Sequence, residues 1–455
     1  MSDHHHQPHN PNLLADSQSS DPPAVDSLQP RHFFPTELVQ AIFEHVVTTP
    51  IVRWTERSPA PLDPEVRRAP FRLAAVCTRW RNTALQTPEI WSCIHVTNPV
   101  VRDPIAYIDV CVDRSGQWPL EVIVNFSSGE ILEEIDLIKI WTKLRSQGSR
   151  WRRCHFVFGS YDVLWANWPR KSPMLEELVA HMLLDSYFLD DSEMRTQLLP
   201  IAPNLTRLSF NSLYRLPGNY GNVEYLSICL RPGPTSGSLL WEVLPHTPFL
   251  REVKIFWLFT TSREDMPPQR TISLPRLERL EIYGHTPLDF DTYVARLELP
   301  ALHTVFVSTS TCYRLVTFFQ SLAAQVRTLV VRYEGPSRLA LADARAIYQL
   351  RCLDTLVISG RRMDNVNLGE AFGSTSSILT FSSFFDALRQ ASEATDWQLR
   401  KLWMLNCTPL RKPKDDLAHC ISNSIEINFT GRGKGWDDPR IALFMTTEPT
   451  GGAQS

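Results

Sequence analysis

From residue 175 to residue 358 the chain repeats a six-residue unit, apolar-x-x-apolar-x-apolar. Its copies are Leu175/Leu178/Ala180, Leu205/Leu208/Phe210, Val223/Leu226/Ile228, Leu250/Val253/Ile255, Leu277/Leu280/Ile282, Leu302/Val305/Val307, Val326/Leu329/Val331 and Leu353/Leu356/Ile358. A proline usually stands one or two positions upstream. The alternation at the end of each unit predicts a short strand with one buried face. Fainter copies extend the series at Trp91/Ile94/Val96, Leu120/Ile123/Asn125 and Trp151/Cys154/Phe156, and at Leu399/Leu402/Met404. Between units lie apolar residues at helical spacing: Ile131, Ile135 and Ile138; Leu315, Phe318 and Leu322; Phe381, Phe385 and Leu388. Each unit therefore reads as strand plus helix. One such unit cannot bury a strand face and a helix stripe alone, so neighbours must cover each other.

The pattern differs before residue 96. Pro35 suits a helix's first turn, and Glu37 lies favourably against the positive end of the helix dipole. Leu38, Ile42, Phe43 and Val46 follow at helical spacing and predict one apolar stripe. Five prolines between Thr48 and Pro70 predict a loop, with Trp54 inside it as a possible plug. A second helical region runs from Phe71 to Leu85, bending near Cys77, with Leu73, Val76, Trp80 and Ala84 on one face. Thr87-Pro88 ends it.

Two family resemblances rest on these residues. Phe34, Pro35, Glu37, Leu38, Ile42, Phe43 and Val46, followed by Leu73, Val76, Cys77, Trp80, Arg81, Ala84 and Trp91, resemble an F-box. In that family the segment docks on the Skp-type linker protein of a Skp/cullin/F-box ubiquitin ligase. The resemblance implies a Skp-binding set of Phe34, Pro35, Glu37, Leu38, Ile42, Phe43, Val46, Leu73, Val76, Trp80, Ala84 and Trp91. The unit spacings of 30, 18, 27, 27, 25, 24 and 27 residues resemble leucine-rich repeats, whose period is about 20–29. The asparagine that such repeats carry eight positions after the first leucine is absent: Leu213 and Arg361 stand there after Leu205 and Leu353. Together they imply an α/β chain in which a short helical F-box-like domain precedes an irregular leucine-rich-repeat solenoid, resembling F-box proteins of mushroom-forming fungi. The expected division is a disordered arm over 1–30, the F-box-like domain over 31–96 with an insertion over 48–70, the solenoid over 97–438 and a flexible tail over 439–455.

Composition narrows the function. Of the 455 residues, 43% are hydrophobic and 21% charged, and the formal charge of −3 gives no footprint for nucleic acid. Nine cysteines occur with no CxxC pair, which favours reduced, buried thiols. No signal peptide and no run of 18 apolar residues is present, so the expectation is a soluble intracellular protein, cytoplasmic and/or nuclear, without a membrane partner. His4, His5, His6 and His9 lie in the polar arm without a cysteine or carboxylate framework, so no metal is expected there.

Motifs for catalysis are absent: no GxSxG, GxxxxGK[ST] or HExxH occurs. Gly431-Arg-Gly-Lys434-Gly resembles a phosphate loop but has no strong helix after it. Asp289 and Asp291, and Asp190, Asp191 and Glu193, fit exposed turns or helix starts. The expectation is a non-enzyme with no catalytic residue and no cofactor. It is an adaptor that binds a Skp-type linker, and through it a cullin, while the solenoid holds an unknown protein target. Ubiquitin transfer would then follow from proximity alone. The alternative is a scaffold holding Skp or another partner without ubiquitin transfer, and an enzyme hidden in the repeats is a remote third. The candidate target surface consists of residues between the repeat leucines: Glu176, Glu177, Thr206, Arg207, Arg251, Glu252, Glu278, Arg279, His303, Arg327, Asp354 and Arg400.

Overall fold

The computed structural model of the chain describes residues 34–47, 64–97, 103–125, 134–158, 168–182, 197–211, 214–215, 218, 220–230, 236–257, 271–284, 296–309, 316–333, 347, 349–360, 399–405 and 426–430. The arm over 1–30, Trp54, the Phe381 segment, the acidic clusters at Asp190 and Asp289, the Gly431 loop and the tail lie outside the described residues.

Three helices open the described chain: α1 (Thr36–Val47), α2 (Pro64–Val76) and α3 (Thr78–Leu85). A short 3-10 turn over Pro88–Trp91 follows. The break between α2 and α3 falls at Cys77, whose extended backbone and Sγ, accepting from Trp80 N, cap the second helix. The loop expected through Pro70 ends earlier. Pro64 occupies the first position of α2, where its missing N–H costs nothing, and Pro70 lies buried inside the helix. An interior proline removes a hydrogen bond and costs about 3 kcal/mol, so α2 depends on packing against α1 and α3.

Thirteen strands then form one sheet in which every neighbouring pair is parallel. They are β1 (Cys93–Thr97), β2 (Leu120–Asn125), β3 (Trp151–Phe158), β4 (Glu177–Met182), β5 (Arg207–Asn211), β6 (Tyr225–Leu230) and β7 (Glu252–Trp257). The rest are β8 (Arg279–Gly284), β9 (Thr304–Thr309), β10 (Thr328–Tyr333), β11 (Thr355–Gly360), β12 (Lys401–Leu405) and β13 (Glu426–Thr430). Their spatial order is their chain order, so the sheet grows at one edge and never reverses. Such an order has no switch point, the place where open α/β sheets form their nucleotide crevice. Two pairs of two-residue strands, 197–198 with 214–215 and 272–273 with 297–298, are also parallel.

In-register pairing lines up the repeated apolar positions in two rows. One runs Ile94, Val122, Cys154, Leu178, Leu208, Leu226, Val253, Leu280, Val305, Leu329, Leu356 and Leu402. The other starts at Val96 and Val124 and continues through Phe156, Ala180, Phe210, Ile228, Ile255, Ile282, Val307, Val331 and Ile358. All are buried in one continuous core. The helices α4 (Pro104–Ser115), α5 (Glu134–Ser146), α6 (Ser236–Val243) and α7 (Val316–Ser321) contribute to that same core, so they cover this inner face.

Two expectations of phase are corrected. The unit at Leu120 is one residue short: Val122 and Val124 face the core, and Ile123 points to the other face. A register shift between Leu120 and Glu121, where Arg152 on β3 is the extra residue, absorbs the difference. In α5 the buried stripe is Leu137, Ile140, Trp141 and Leu144, with Ile138 half-buried beside it. Trp141 packs edge-on to Phe156 and Trp168.

Main-chain bonds tie successive units just ahead of each strand. The Glu176 N–H donates to Arg152 O, Thr206 to Glu176, Glu224 to Thr206 and Arg251 to Glu224, at 2.7–2.9 Å. The series continues from Glu278 to Arg251, His303 to Glu278, Arg327 to His303, Asp354 to Arg327 and Arg400 to Asp354. From Glu176 onward each of these carbonyls also accepts the next strand's first N–H. The upstream prolines sit at the second position of a turn closed by Leu175 N to Ser172 O, Leu205 N to Ala202 O, Leu250 N to Thr247 O, Leu277 N to Leu274 O and Leu302 N to Leu299 O. Asn204 Nδ2 donates to Pro173 O at 2.8 Å and Asn222 Nδ2 to Pro203 O at 2.6 Å, adding side-chain ties.

Candidate docking surfaces

The helical head has its own small core. Val39, Phe43 and Val47 on α1 meet Ala69 and Leu73 on α2, Ala84 on α3, and Ile90 and Trp91. Phe43 meets Trp80 edge-on at 5.1 Å, and the Trp91 indole N–H donates to Ala84 O at 2.7 Å. Phe71 touches both Trp91 and Tyr107 of α4, joining this core to that of the sheet. Arg114 stacks over Trp91 at 4.3 Å.

The expected single stripe on α1 is two stripes. Phe43 belongs to the buried set with Val39 and Val47, which periodicity reading passed over. Leu38, Ile42 and Val46, one residue out of phase, are 52%, 44% and 42% exposed. Phe34 at 65% and Val76 at 60% are exposed as well, as are Pro35 and Glu37. Leu73, Ala84 and Trp91 are buried and Trp80 is half-buried, so these four support the face from below. The Arg79 guanidinium donates to Phe34 O, and Arg81 Nε donates to Ala74 O at 3.1 Å, fixing the approach to α1 and the α2–α3 corner. Six of the twelve candidate residues thus lie on the surface with an apolar or proline side chain: Phe34, Pro35, Leu38, Ile42, Val46 and Val76.

The second site is the sheet face opposite the helices. Its first row in register is Glu121, Arg153, Glu177, Arg207, Tyr225, Glu252 and Arg279, alternating in sign except at the tyrosine. Arg153 Nη1 lies 3.3 Å from Glu121 Oε1, and His155 Nε2 lies 3.1 Å from Glu177 Oε1. Burial pushes the Glu177 carboxyl up, but the His155 hydrogen bond and the charges of His155, Arg207 and Arg153 hold it below its ordinary value. Arg207 stacks over Tyr225 at 4.4 Å, and Lys254 approaches the same ring at 5.2 Å. Glu281, wholly buried, is held by Arg279, by Lys254 at 3.5 Å and by the Tyr283 hydroxyl, which donates at 2.7 Å. Burial lowers the Arg279 guanidinium, yet Glu281 and Glu252 outweigh it and raise its pKa. Tyr283 then stacks on Phe256 at 4.5 Å and meets Phe306 at 4.8 Å.

Beyond this point the face changes character. Phe306, Val330 and Val357 form a separate buried apolar cluster, with Tyr283 and Trp403 packed against it. Of the expected surface residues, Glu177, Arg207, Glu252 and Arg279 stand on this face. Glu176, Thr206, Arg251, Glu278, His303, Arg327, Asp354 and Arg400 stand one residue earlier, on the main-chain ladder. There Arg152 pairs with Glu176 at 3.1 Å, Arg251 with Glu278 at 2.8 Å and Arg400 with Asp354 at 3.6 Å. Lys254, Glu281, His155 and Tyr283 also stand on this face, each one residue past an inward apolar position (Val253, Leu280, Cys154 and Ile282).

Burial raises the thiols of Cys93 and Cys111 to about 12, and Glu121 adds to the effect at Cys93. Among the described residues no group of three or more histidines, cysteines and carboxylates could hold a metal ion, and no helix is long and apolar enough to cross a membrane. No family model matches the chain, and no curated protein matches it.

Proposed function

We propose that this chain is the target-recognition adaptor of a Skp/cullin/F-box ubiquitin ligase, with an F-box-like head followed by a degenerate leucine-rich-repeat solenoid. The observation that carries the reading is the second apolar stripe of α1. Leu38, Ile42 and Val46, extended by Phe34 and by Val76, stand exposed on a head whose own core is built from Val39, Phe43, Val47, Leu73, Ile90 and Trp91. An exposed stripe at helical spacing suits a helix-in-groove partner, and the positions coincide with those an F-box offers to its linker. The thirteen parallel strands in chain order, with helices on one face, supply the extended opposite face that a target needs. The reaction belongs to the assembled ligase, and this chain's contribution is to raise the local concentration of a target lysine.

Co-purification with a Skp-type linker tests the reading. Leu38→Asp and Ile42→Asp should each abolish capture of the linker while the thermal unfolding profile is retained. Capture at the wild-type level by both variants would reject the assignment. A cullin missing from a complex that still contains the linker would favour the scaffold instead.

A further inference from the structure

We propose that this chain is spared acylation by the ligase it serves: its surface carries arginine where lysine would serve, so that thioester-linked ubiquitin brought beside it finds its acceptor amine on the target. The proposal rests on the adaptor reading and adds to it a rule for where ubiquitin falls. Lysine is among the commonest residues of soluble proteins. Of the 46 lysines and arginines here, eight are lysine and 38 are arginine, and the first lysine is Lys139. Every such cation ahead of it, those of the whole head included, is arginine. The two residues differ in one reaction. Both are charged at pH 7, but lysine loses its proton near about 10.4 to give a nucleophilic amine, whereas the guanidinium holds its proton to beyond about 12. In ubiquitin transfer the neutral Nζ forms an amide C–N bond with the thioester carbonyl carbon. The C–S bond breaks, the carrier's thiolate leaves, and the amine's surplus proton passes to water. Arginine offers no such lone pair. An adaptor's own amines are tethered beside the thioester as a bound target's are, at high effective concentration, so the choice of cation decides which chain is acylated.

Contacts that need a planar guanidinium account for part of the bias. Arg150 donates to Ser115 Oγ, to Gln147 Oε1 and to Trp118 O, and Arg114, Arg207 and Arg276 lie over aromatic rings. Such contacts do not explain Arg170, Arg296, Arg327 and Arg351. All four are exposed, and their guanidinium groups make no hydrogen bond, ion pair or ring contact with a described residue. A lysine there would keep the charge and the solubility, and it would add an acceptor. Five lysines fall among the described residues, and three of them stand beside carboxylates. Lys139 Nζ lies 3.2 Å from Asp136, and Lys254 Nζ lies 3.5 Å from both Glu252 and Glu281. Lys143 pairs with Asp109, whose hydrogen bond raises its pKa and favours the unreactive ammonium. The other two, Lys171 and Lys401, are exposed, and Lys401 stands in register with Glu426.

The test uses the full chain assembled with a Skp-type linker, a cullin and the ubiquitin-charged carrier. Discharge of the carrier's thioester onto added free lysine shows that each assembly is competent, and it needs no target. Arg170→Lys, Arg296→Lys, Arg327→Lys and Arg351→Lys, combined in one protein, should gain on the order of tenfold more conjugated ubiquitin than the wild type in the same time. Mass spectrometry should place the gain on the new lysines. If the combined protein unfolds, the four charge-preserving single substitutions are assayed separately, and at least one should gain conjugates at its new lysine. Equal conjugation of wild type and variants in competent assemblies, or a gain confined to the original lysines, overturns the proposal. Linker capture is measured on the same preparations. Capture and discharge with equal conjugation remove this inference and leave the adaptor reading. Capture without discharge favours the scaffold and removes this inference with ubiquitin transfer itself, and no capture by the wild type removes the adaptor reading and this inference together.

Discussion

The head and the sheet use apolar residues differently. In the sheet, the inward positions from Ile94 to Leu402 are consumed by one core, and each leucine has a neighbour in the next strand and a helix or turn residue above it. In α1, Val39, Phe43 and Val47 are consumed in the same manner, whereas Leu38, Ile42 and Val46 lie outside both cores and stand exposed. Apolar surplus on a twelve-residue helix is expensive to leave in water. Under the proposed reading, this is the part of the molecule that a partner would bury.

The largest effects should come from residues the core has consumed. Trp91 is wholly buried, donates to Ala84 O, and carries Phe71 and Arg114 against it. Trp91→Ala should destabilise the protein by about 4 kcal/mol, and Leu226→Ala by about 3 kcal/mol, in urea unfolding followed by tryptophan fluorescence. A loss below about 1 kcal/mol at either position would mean that the site collapses around the cavity, and the contrast with α1 would fade.

A somewhat smaller effect is expected from pH, at the strand where head and sheet meet. Burial first, then the charges of Arg67 and His155, lower the His95 imidazole to about 4. An unfolded histidine takes its proton near pH 6.5, so as pH falls below that value the unfolded chain binds the proton first. The contribution is therefore fully present above about 6.5 and lost as pH drops toward 4, amounting to about 2 kcal/mol by pH 5. His95→Gln should flatten this slope, and an unchanged difference in urea midpoint between pH 7.5 and 5 would show that other groups cause it.

How far the sequence revealed these features follows from what each depends on. The inward rows were legible because a period of two with a fixed lead residue identifies a strand face, even where the asparagines of regular repeats are missing. The phase at Ile123 was not legible, because a missing residue is absorbed by a bulge on the neighbouring strand, which a single strand's pattern does not contain. The two stripes on α1 could not be separated for a related reason. Leu38 and Val39, or Ile42 and Phe43, are equally apolar neighbours, and only the position of α2 and α3 decides which turns inward. The charge ladder required the pairing register itself, which sets Glu177 beside Arg207 and Tyr225 beside Glu252.

Asn204 and Asn222 show how the asparagine deficit is compensated, and here the expected change is about 1 kcal/mol. Each donates its amide to a proline carbonyl of the preceding turn, from exposed positions. Asn204→Ala and Asn222→Ala should each lower stability by about that amount, as a single net hydrogen bond does. No measurable change in urea midpoint in either variant would show that the main-chain ladder and the remaining side-chain bonds, such as Thr206 Oγ1 to Glu176 O, suffice to tie the units there.

The smallest expected effect is the most informative. Leu38→Ala should change the stability of the isolated protein by no more than about 0.5 kcal/mol, because a half-exposed side chain with no core partner has little to lose on truncation. Val39→Ala, one residue away on the same helix turn, should cost on the order of 1–3 kcal/mol, since it empties a buried position. The pair compares two neighbouring branched aliphatic residues with equal helical context, so their difference isolates burial from propensity. If Leu38→Ala proves as costly as Val39→Ala, the outer stripe is already covered by this chain, and nothing would remain for a linker to bury. If Leu38→Ala is silent in stability and severe in linker capture, then the surplus on α1 is an interface by the only criterion that separates an interface from a core: its worth appears only when the partner is present.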